Sequence, residues 1–244
     1  MDHPGSALVA GVGPERGLGA ALARHFAQKG LHVFVAGLTT AKLDEVARHI
    51  RDQGGSATPV VADVTVKGEV TRLFDLVRSR GSSLDVAAYN VGSNVAAPFL
   101  ETEIEMFTTL WRQNCLGAFL FAKETIDIMR VQGKGTVFFT GATASLRAKP
   151  PFTAFASSKA GVRALAQGLA REFGPQGIHV VHTVIDGVID GDYAKNQFPE
   201  YVKIKGGDGM LKPEAIARTY WAIHEQDPSA WTHEVDLRPF KEPF

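Results

Sequence analysis

Short apolar runs rich in Val, Phe and Ala alternate along the chain with longer segments whose apolar residues recur at helical spacing. Strands are expected at residues 7–12, 32–36, 58–61, 84–89, 136–140, 178–184 and 234–237. Helices are expected between them at 17–29, 41–53, 66–80, 103–131, 153–173 and 213–225. The strand runs lack a clear polar alternation, which is the pattern of a parallel sheet covered on both faces. The βαβα order points the same way, to an α/β fold with a doubly wound parallel sheet of about seven strands.

Local signals mark several boundaries. Gly30 and Gly174 fall where left-handed helix caps are expected. Pro213 suits a first helical turn, where its missing N–H costs nothing. No linker, repeat or low-complexity run divides the chain, so one domain is expected over residues 1–244. The least regular stretch, 186–212, holds Gly187, Gly191, Pro199, Gly206, Gly207 and Gly209, and is expected to form a covering loop.

Composition narrows the function classes. Apolar residues make up 45% of the 244, enough for a sizeable core without staples. The 26 basic and 26 acidic side chains cancel, so no basic excess argues for nucleic acid. Cys115 is the lone cysteine, which rules out an internal disulfide and fits a reducing compartment. It reads as a small buried helix residue, with a reactive thiol as the alternative. No stretch approaches the roughly 18 apolar residues of a membrane span, and residues 1–5 lack a signal-peptide pattern. A cytoplasmic protein is expected. The histidines are scattered without metal-ligand spacing, so no metal is expected.

The chemistry begins where the first strand runs into Gly13-Pro14-Glu15-Arg16-Gly17-Leu18-Gly19 and a helix follows at once. Glycines let the turn form and let a pyrophosphate approach the main chain. The helix start aims free N–H groups and a positive dipole end at it. This is a Rossmann-type dinucleotide turn, with Gly13, Arg16, Gly17, Leu18 and Gly19 as candidate contacts. The second strand ends at Ala36-Gly37-Leu38-Thr39-Thr40, with no acid to hold the ribose hydroxyls and repel a 2′-phosphate. Arg16 in the turn and the hydroxyls of Thr39 and Thr40 therefore favour NADP(H), with NAD(H) possible, and Leu38 and Thr39 are candidate contacts. Asp63 and Val64, after the third strand, are placed to meet adenine, with a simple turn-forming role for Asp63 as the alternative.

These residues resemble the short-chain dehydrogenase/reductase superfamily over nearly the whole chain. Its Gly-x-x-x-Gly-x-Gly pattern stands as Gly13, Gly17 and Gly19. Its Asn-Asn-Ala-Gly segment is similar to Tyr89-Asn90-Val91-Gly92, its helix asparagine to Asn114, its lysine to Lys159, and its Pro-Gly pair to Asp186-Gly187. The resemblance implies that Asn90, Gly92, Gly187 and Ile189 line the cofactor. It implies that Lys159 bonds the nicotinamide ribose, and that Asn114 holds a water linking the lysine to solvent. The family's tyrosine, which gives a proton to the carbonyl, falls on Phe155. Its serine, which holds the carbonyl oxygen, falls on Ala142. The tyrosine position of the enoyl-reductase branch falls on Phe152. A positioned general acid is worth roughly 10²- to 10⁴-fold in rate, so the departure is serious.

Other groups are candidates for the missing role: Ser145, with Thr143, after the fifth strand, and Tyr193, with Asp190 and Asp192, on the covering loop. Arg147 and Lys149 read as surface residues, or as a site for an acidic group. The leading expectation is an NADP(H)-dependent oxidoreductase acting on a small, apolar carbonyl, imine or enone substrate by a non-standard proton route. A non-redox enzyme and a catalytically silent dinucleotide binder are the alternatives. Apolar positions on several faces of 103–131 and 153–173, among them Phe119, Leu120, Ile126 and Met129, predict a homodimer or homotetramer.

Overall fold

The structure is a computed structural model that describes residues 4–242. Seven strands form one parallel sheet: β1 (Ser6–Ala10), β2 (His32–Gly37), β3 (Ser56–Val61), β4 (Leu84–Tyr89), β5 (Gly135–Thr140), β6 (Ile178–Ile185) and β7 (Glu234–Leu237). Their spatial order is β3-β2-β1-β4-β5-β6-β7. The order reverses between β1 and β4, so the crevice beyond their C-terminal ends is where a ligand is expected in such a sheet.

Helices cover both faces. On one, α1 (Leu18–Gln28), α2 (Thr40–Asp52) and α9 (Pro213–His224) pack against Val9, Val35 and Phe138. On the other, α3 (Lys67–Ser79), α5 (Gly117–Gln132) and α6 (Thr153–Phe173) bury Phe74, Phe121 and Val162 against Leu8, Tyr89 and Phe139. All eight residues of β6 are buried, the polar His179, His182 and Thr183 included, as a strand covered on both faces requires.

Four local expectations are corrected. The first strand ends at Ala10 rather than Val12, because Gly11 turns the chain with φ +87°. The expected helix 103–131 is α4 (Ile104–Trp111) and α5, joined by a π-helical turn at Arg112–Leu116. The backbone there is diverted by side chains: Tyr89 donates to Gln113 O, and Asn114 Nδ2 donates to Leu110 O at 2.9 Å. The left-handed residue after α6 is Gly177 (φ +83°), not Gly174, which continues into a 3₁₀ turn. The covering segment is more ordered than a loop. It carries α7 (Asp192–Gln197) and α8 (Pro199–Lys205), two helices too short to show apolar periodicity.

Candidate functional site

The phosphate turn is shaped by close approaches. A Cβ on Gly19 would stand 2.6 Å from Gly11 O, so α1 begins in contact with the end of β1. Gly13 differs, since a Cβ there would meet nothing within 4 Å. The chain itself does not demand glycine at that point, which leaves open space before the N–H groups of an eleven-residue helix. That is the arrangement a pyrophosphate needs. Glu15 ties the turn to its supports, pairing with Arg24 of α1 and lying 3.0 Å from His49 Nδ1 of α2.

Around the adenosine end, the side chains are sparse. A Cβ on Gly37 would collide with Val12 O, so packing alone excludes an acid at that position. Leu38 is 68% exposed, and Thr39 is exposed at the start of α2. Arg16 is also exposed, with Nε 4.0 Å from Asp192 of α7. Asp63 Oδ1 accepts from Thr65 N at 2.9 Å and Thr65 Oγ1 at 2.8 Å, so one oxygen is committed to the turn. Val64 is buried beside it. Asn90 Nδ2 donates to Gly11 O at 3.3 Å and holds the ends of β1 and β4 together. On the far side, Gly187 and Ile189 follow β6, and Ile189 forms a bridge with Leu211.

Lys159 and Asn114, 45 residues apart in sequence, meet behind Gly92. A Cβ on Gly92 would collide with Asn114 Oδ1 and stand 3.0 Å from Lys159 Nζ. Gly92 also has φ +156°, at the edge of the region that favours glycine. Lys159 Nζ donates to Thr140 O at 2.9 Å. Burial pushes the ammonium down to a pKa of about 8. Asn114 is fully buried, and its Oδ1 has no hydrogen-bond partner among the described residues. An orphaned buried carbonyl is costly unless something else satisfies it, and a water is the ordinary solution.

The empty acid positions are apolar in fact as well as in sequence. Phe155 is 7% exposed and packs with Leu110, Ala154, Ala142, Phe152 and Val95. Its ring centroid lies 6.0 Å from Lys159 Nζ. Ser145 is buried, and its Oγ accepts from Ala142 N at 3.1 Å. Tyr193 is 54% exposed and lies edge-on to Phe198. Cys115 packs toward Gly161, and burial raises its thiol pKa, so the structure does not favour a thiolate.

Two features were not anticipated. Arg147 is not a free cation for an acidic ligand: it donates to Asp186 Oδ2 at 3.0 Å. Asp186, where the resemblance has proline, also accepts from Thr143 and Arg238, and these partners hold its carboxyl below the usual range despite its burial. The clamp ties the turn after β5 to the ends of β6 and β7. The second feature is a pair between buried His182 on β6 and half-buried Glu234 on β7.

With this geometry in place, the likeness to known proteins is specific. The model of the short chain dehydrogenase family matches residues 7–201. A short-chain dehydrogenase/reductase of Hericium erinaceus is 34% identical over 184 residues, covering 73% of this chain and 72% of its own. A solved short-chain dehydrogenase from Rhodopseudomonas palustris superposes with a TM-score of 0.83 at 35% identity, covering 97% and 99% of the two chains. An actinorhodin polyketide ketoreductase solved with NADPH shares the fold over the whole of both chains, with a TM-score of 0.89 at 20% identity. The chain belongs to the short chain dehydrogenase family.

Proposed function

We propose that the chain is an NADP(H)-dependent oxidoreductase that moves a hydride to or from a small apolar carbonyl, imine or enone by a route that does without the tyrosine. The observation that carries this reading is the meeting of Lys159 Nζ and the orphaned Asn114 Oδ1 at Gly92, beside an open phosphate turn. A protein that had lost all cofactor chemistry would have no reason to bury an ammonium and an unsatisfied amide side by side.

The residues fit a nicotinamide dinucleotide. The turn from Gly13 to Gly19, with Arg16 and Leu18, would hold the pyrophosphate; Leu38, Thr39, Asp63 and Val64 would flank the adenosine. Asn90, Gly92, Lys159, Gly187 and Ile189 would hold the nicotinamide half. Such a cofactor, when bound, supplies the hydride. Lys159 would hold the ribose hydroxyls through a short chain of hydrogen bonds anchored at Thr140 O. Asn114 would fix a water against Lys159, giving a proton path along the α5 side of the cleft. Phe155, Phe152 and Val95 exclude bulk water from the reacting atoms and favour an apolar substrate face. The actinorhodin ketoreductase with NADPH supports the phosphorylated cofactor. So do Arg16, exposed beside the turn, and the absence of an acid at positions 37 to 40.

The filled positions, Phe155 and Ala142, favour a second reading, a dinucleotide binder that does not turn over. One titration addresses the cofactor under both readings. A ligand that binds only the native state stabilises it by about 2.7 kcal/mol at a hundred times its dissociation constant. NADPH is expected to raise the melting temperature more than NADH at equal concentration, and Arg16→Ala to narrow the gap. Equal shifts refute the NADP(H) assignment. Turnover of an apolar ketone, imine or enone with NADPH then separates the enzyme from the silent binder.

A further inference from the structure

Beneath the empty tyrosine position lies a charged network that the reading above leaves unused. His182, on β6, is 0% exposed. Its Nδ1 is 2.9 Å from Glu234 Oε2, and Arg163 of α6 grips the same carboxylate with Nε at 2.6 Å and Nη2 at 2.9 Å. A carboxylate held in this way only accepts, so Nδ1 carries the imidazole proton and Nε2 presents a bare lone pair. Nε2 has no hydrogen-bond partner among the described residues. It faces Gly141: a Cβ there would collide with Nε2 and would also stand 2.9 Å from Ser145 Oγ. Ser145 accepts from Ala142 N, and its own proton is uncommitted among the described residues. A hydroxyl with a proton to give and an imidazole ready to take one thus converge on a single point. That point lies next to Ala142, where the family's serine would stand.

We propose that Ser145, His182 and Glu234 form a proton relay that takes over the tyrosine's part in the oxidation of an alcohol, with Ser145 meeting the substrate and His182 reaching Ser145 through one water. This rests on the oxidoreductase reading. In the step, the substrate hydroxyl gives its proton to Ser145 Oγ while the proton of Ser145 passes to His182 Nε2. An oxidised nicotinamide, when bound, would take up the C–H hydride as the C=O bond forms. The imidazolium is balanced by Glu234, and once the product has left it gives its Nε2 proton back to water, which restores the Nδ1–H tautomer. The reverse sequence reduces a carbonyl. The charged groups facing His182 are Glu234 from β7 and Lys159 and Arg163 from α6. Burial, with the two cations, pushes the imidazole down to a pKa of about 4, so the acceptor is neutral at physiological pH.

The first test needs no cofactor. In protein labelled with ¹⁵N-histidine at pH 7, His182 is expected as the Nδ1–H tautomer, and Ser145→Ala is expected to move its Nε2 resonance. An Nε2–H tautomer, or a resonance indifferent to Ser145→Ala, overturns the relay. The second test follows oxidation of 1-phenylethanol with NADP⁺. Ser145→Ala and His182→Gln are each expected to lower kcat at least about tenfold. They should leave NADPH affinity within about twofold and change the solvent deuterium isotope effect on kcat, which a merely structural role would not move. Ser145→Ala is the gentler change and stands alone should His182→Gln fail to fold. Unchanged rates in a protein that binds NADPH refute the relay and leave the oxidoreductase reading intact. NADPH binding without any oxidation of the alcohol also refutes it. Failure to bind NADPH refutes the oxidoreductase reading and the relay's catalytic part with it, while the tautomer experiment still decides the contact.

Discussion

Replacing Lys159 with methionine should make the ligand-free protein more stable while spoiling its cofactor site. Methionine keeps the length and flexibility of the side chain and drops only the charged end. The ammonium of Lys159 is buried, and desolvation holds its pKa at about 8 against an ordinary 10.5. The sign follows from proton binding. Between these values the unfolded chain binds more protons than the folded one, so the deficit caused by the charge is complete at pH 7 and fades as pH rises toward 10.5. A shift of that size corresponds to about 3 kcal/mol at pH 7. Loss of the hydrogen bond to Thr140 O takes back about 1 kcal/mol. A net gain of about 2 kcal/mol is expected, equivalent to roughly 4–8 °C in melting temperature for a chain of this size. Urea unfolding at fixed protein concentration, at pH 7 and pH 10, measures it. NADPH affinity should fall in the same variant. A variant less stable than the parent at pH 7, or a gain that persists undiminished at pH 10, refutes the account of Lys159 as a charge retained at a cost for the cofactor.

Restoring the family's donors is the complementary experiment: in the Ser145→Ala background, Phe155→Tyr with Ala142→Ser should raise NADPH-linked reduction of activated ketones at least about tenfold, and no gain would show that the restored hydroxyls do not reach the reacting oxygen. Acid should weaken the fold between about pH 6.5 and 4, because buried His182 and His32 both have pKa values pushed down to about 4 and resist protons that the unfolded chain accepts. His182 alone contributes about 3 kcal/mol over that range, and a flat urea midpoint from pH 7 to pH 5 would contradict it. A two-fold assembly should use the exposed Ile104, Phe107, Trp111 and Phe119 of α4 and α5, since Ile126 and Met129 are already buried within the chain. Phe119→Glu should then lower the sedimentation coefficient toward that of a monomer, and a parent that sediments as a monomer at micromolar concentration refutes the assembly.

What the sequence disclosed and what it hid divide along a physical line. Features set by neighbours in the chain were legible: the glycine turn between a strand and a helix, the alternation that gives a parallel sheet, and the four-residue spacing that puts Phe155 and Lys159 on one helical face. Asn114 was legible through its resemblance, although the π-helical turn that carries it was not. Nothing in local spacing announces that Tyr89 will take the carbonyl of Gln113. The short helices of the covering segment escaped because six or seven residues give too few turns for a period. His182 and Glu234 are 52 residues apart and join only through strand pairing, with His182 opposite Glu234 in the β6–β7 register. A signal was nevertheless present. A histidine inside a strand buried on both faces must have its polar atoms satisfied, so His179 and His182 in an otherwise apolar run called for partners elsewhere in the chain. Structure supplies Thr232 O for His179 Nε2 and Glu234 for one nitrogen of His182. The other nitrogen of each histidine stays unmatched among the described residues, as Asn114 Oδ1 does. Asn114 Oδ1 meets Lys159 Nζ by the glycine at 92, and His182 Nε2, by the glycine at 141, feels the charge of Lys159. Unsatisfied polar atoms are expensive in a core, and two of them around a single buried ammonium are better explained by chemistry than by packing.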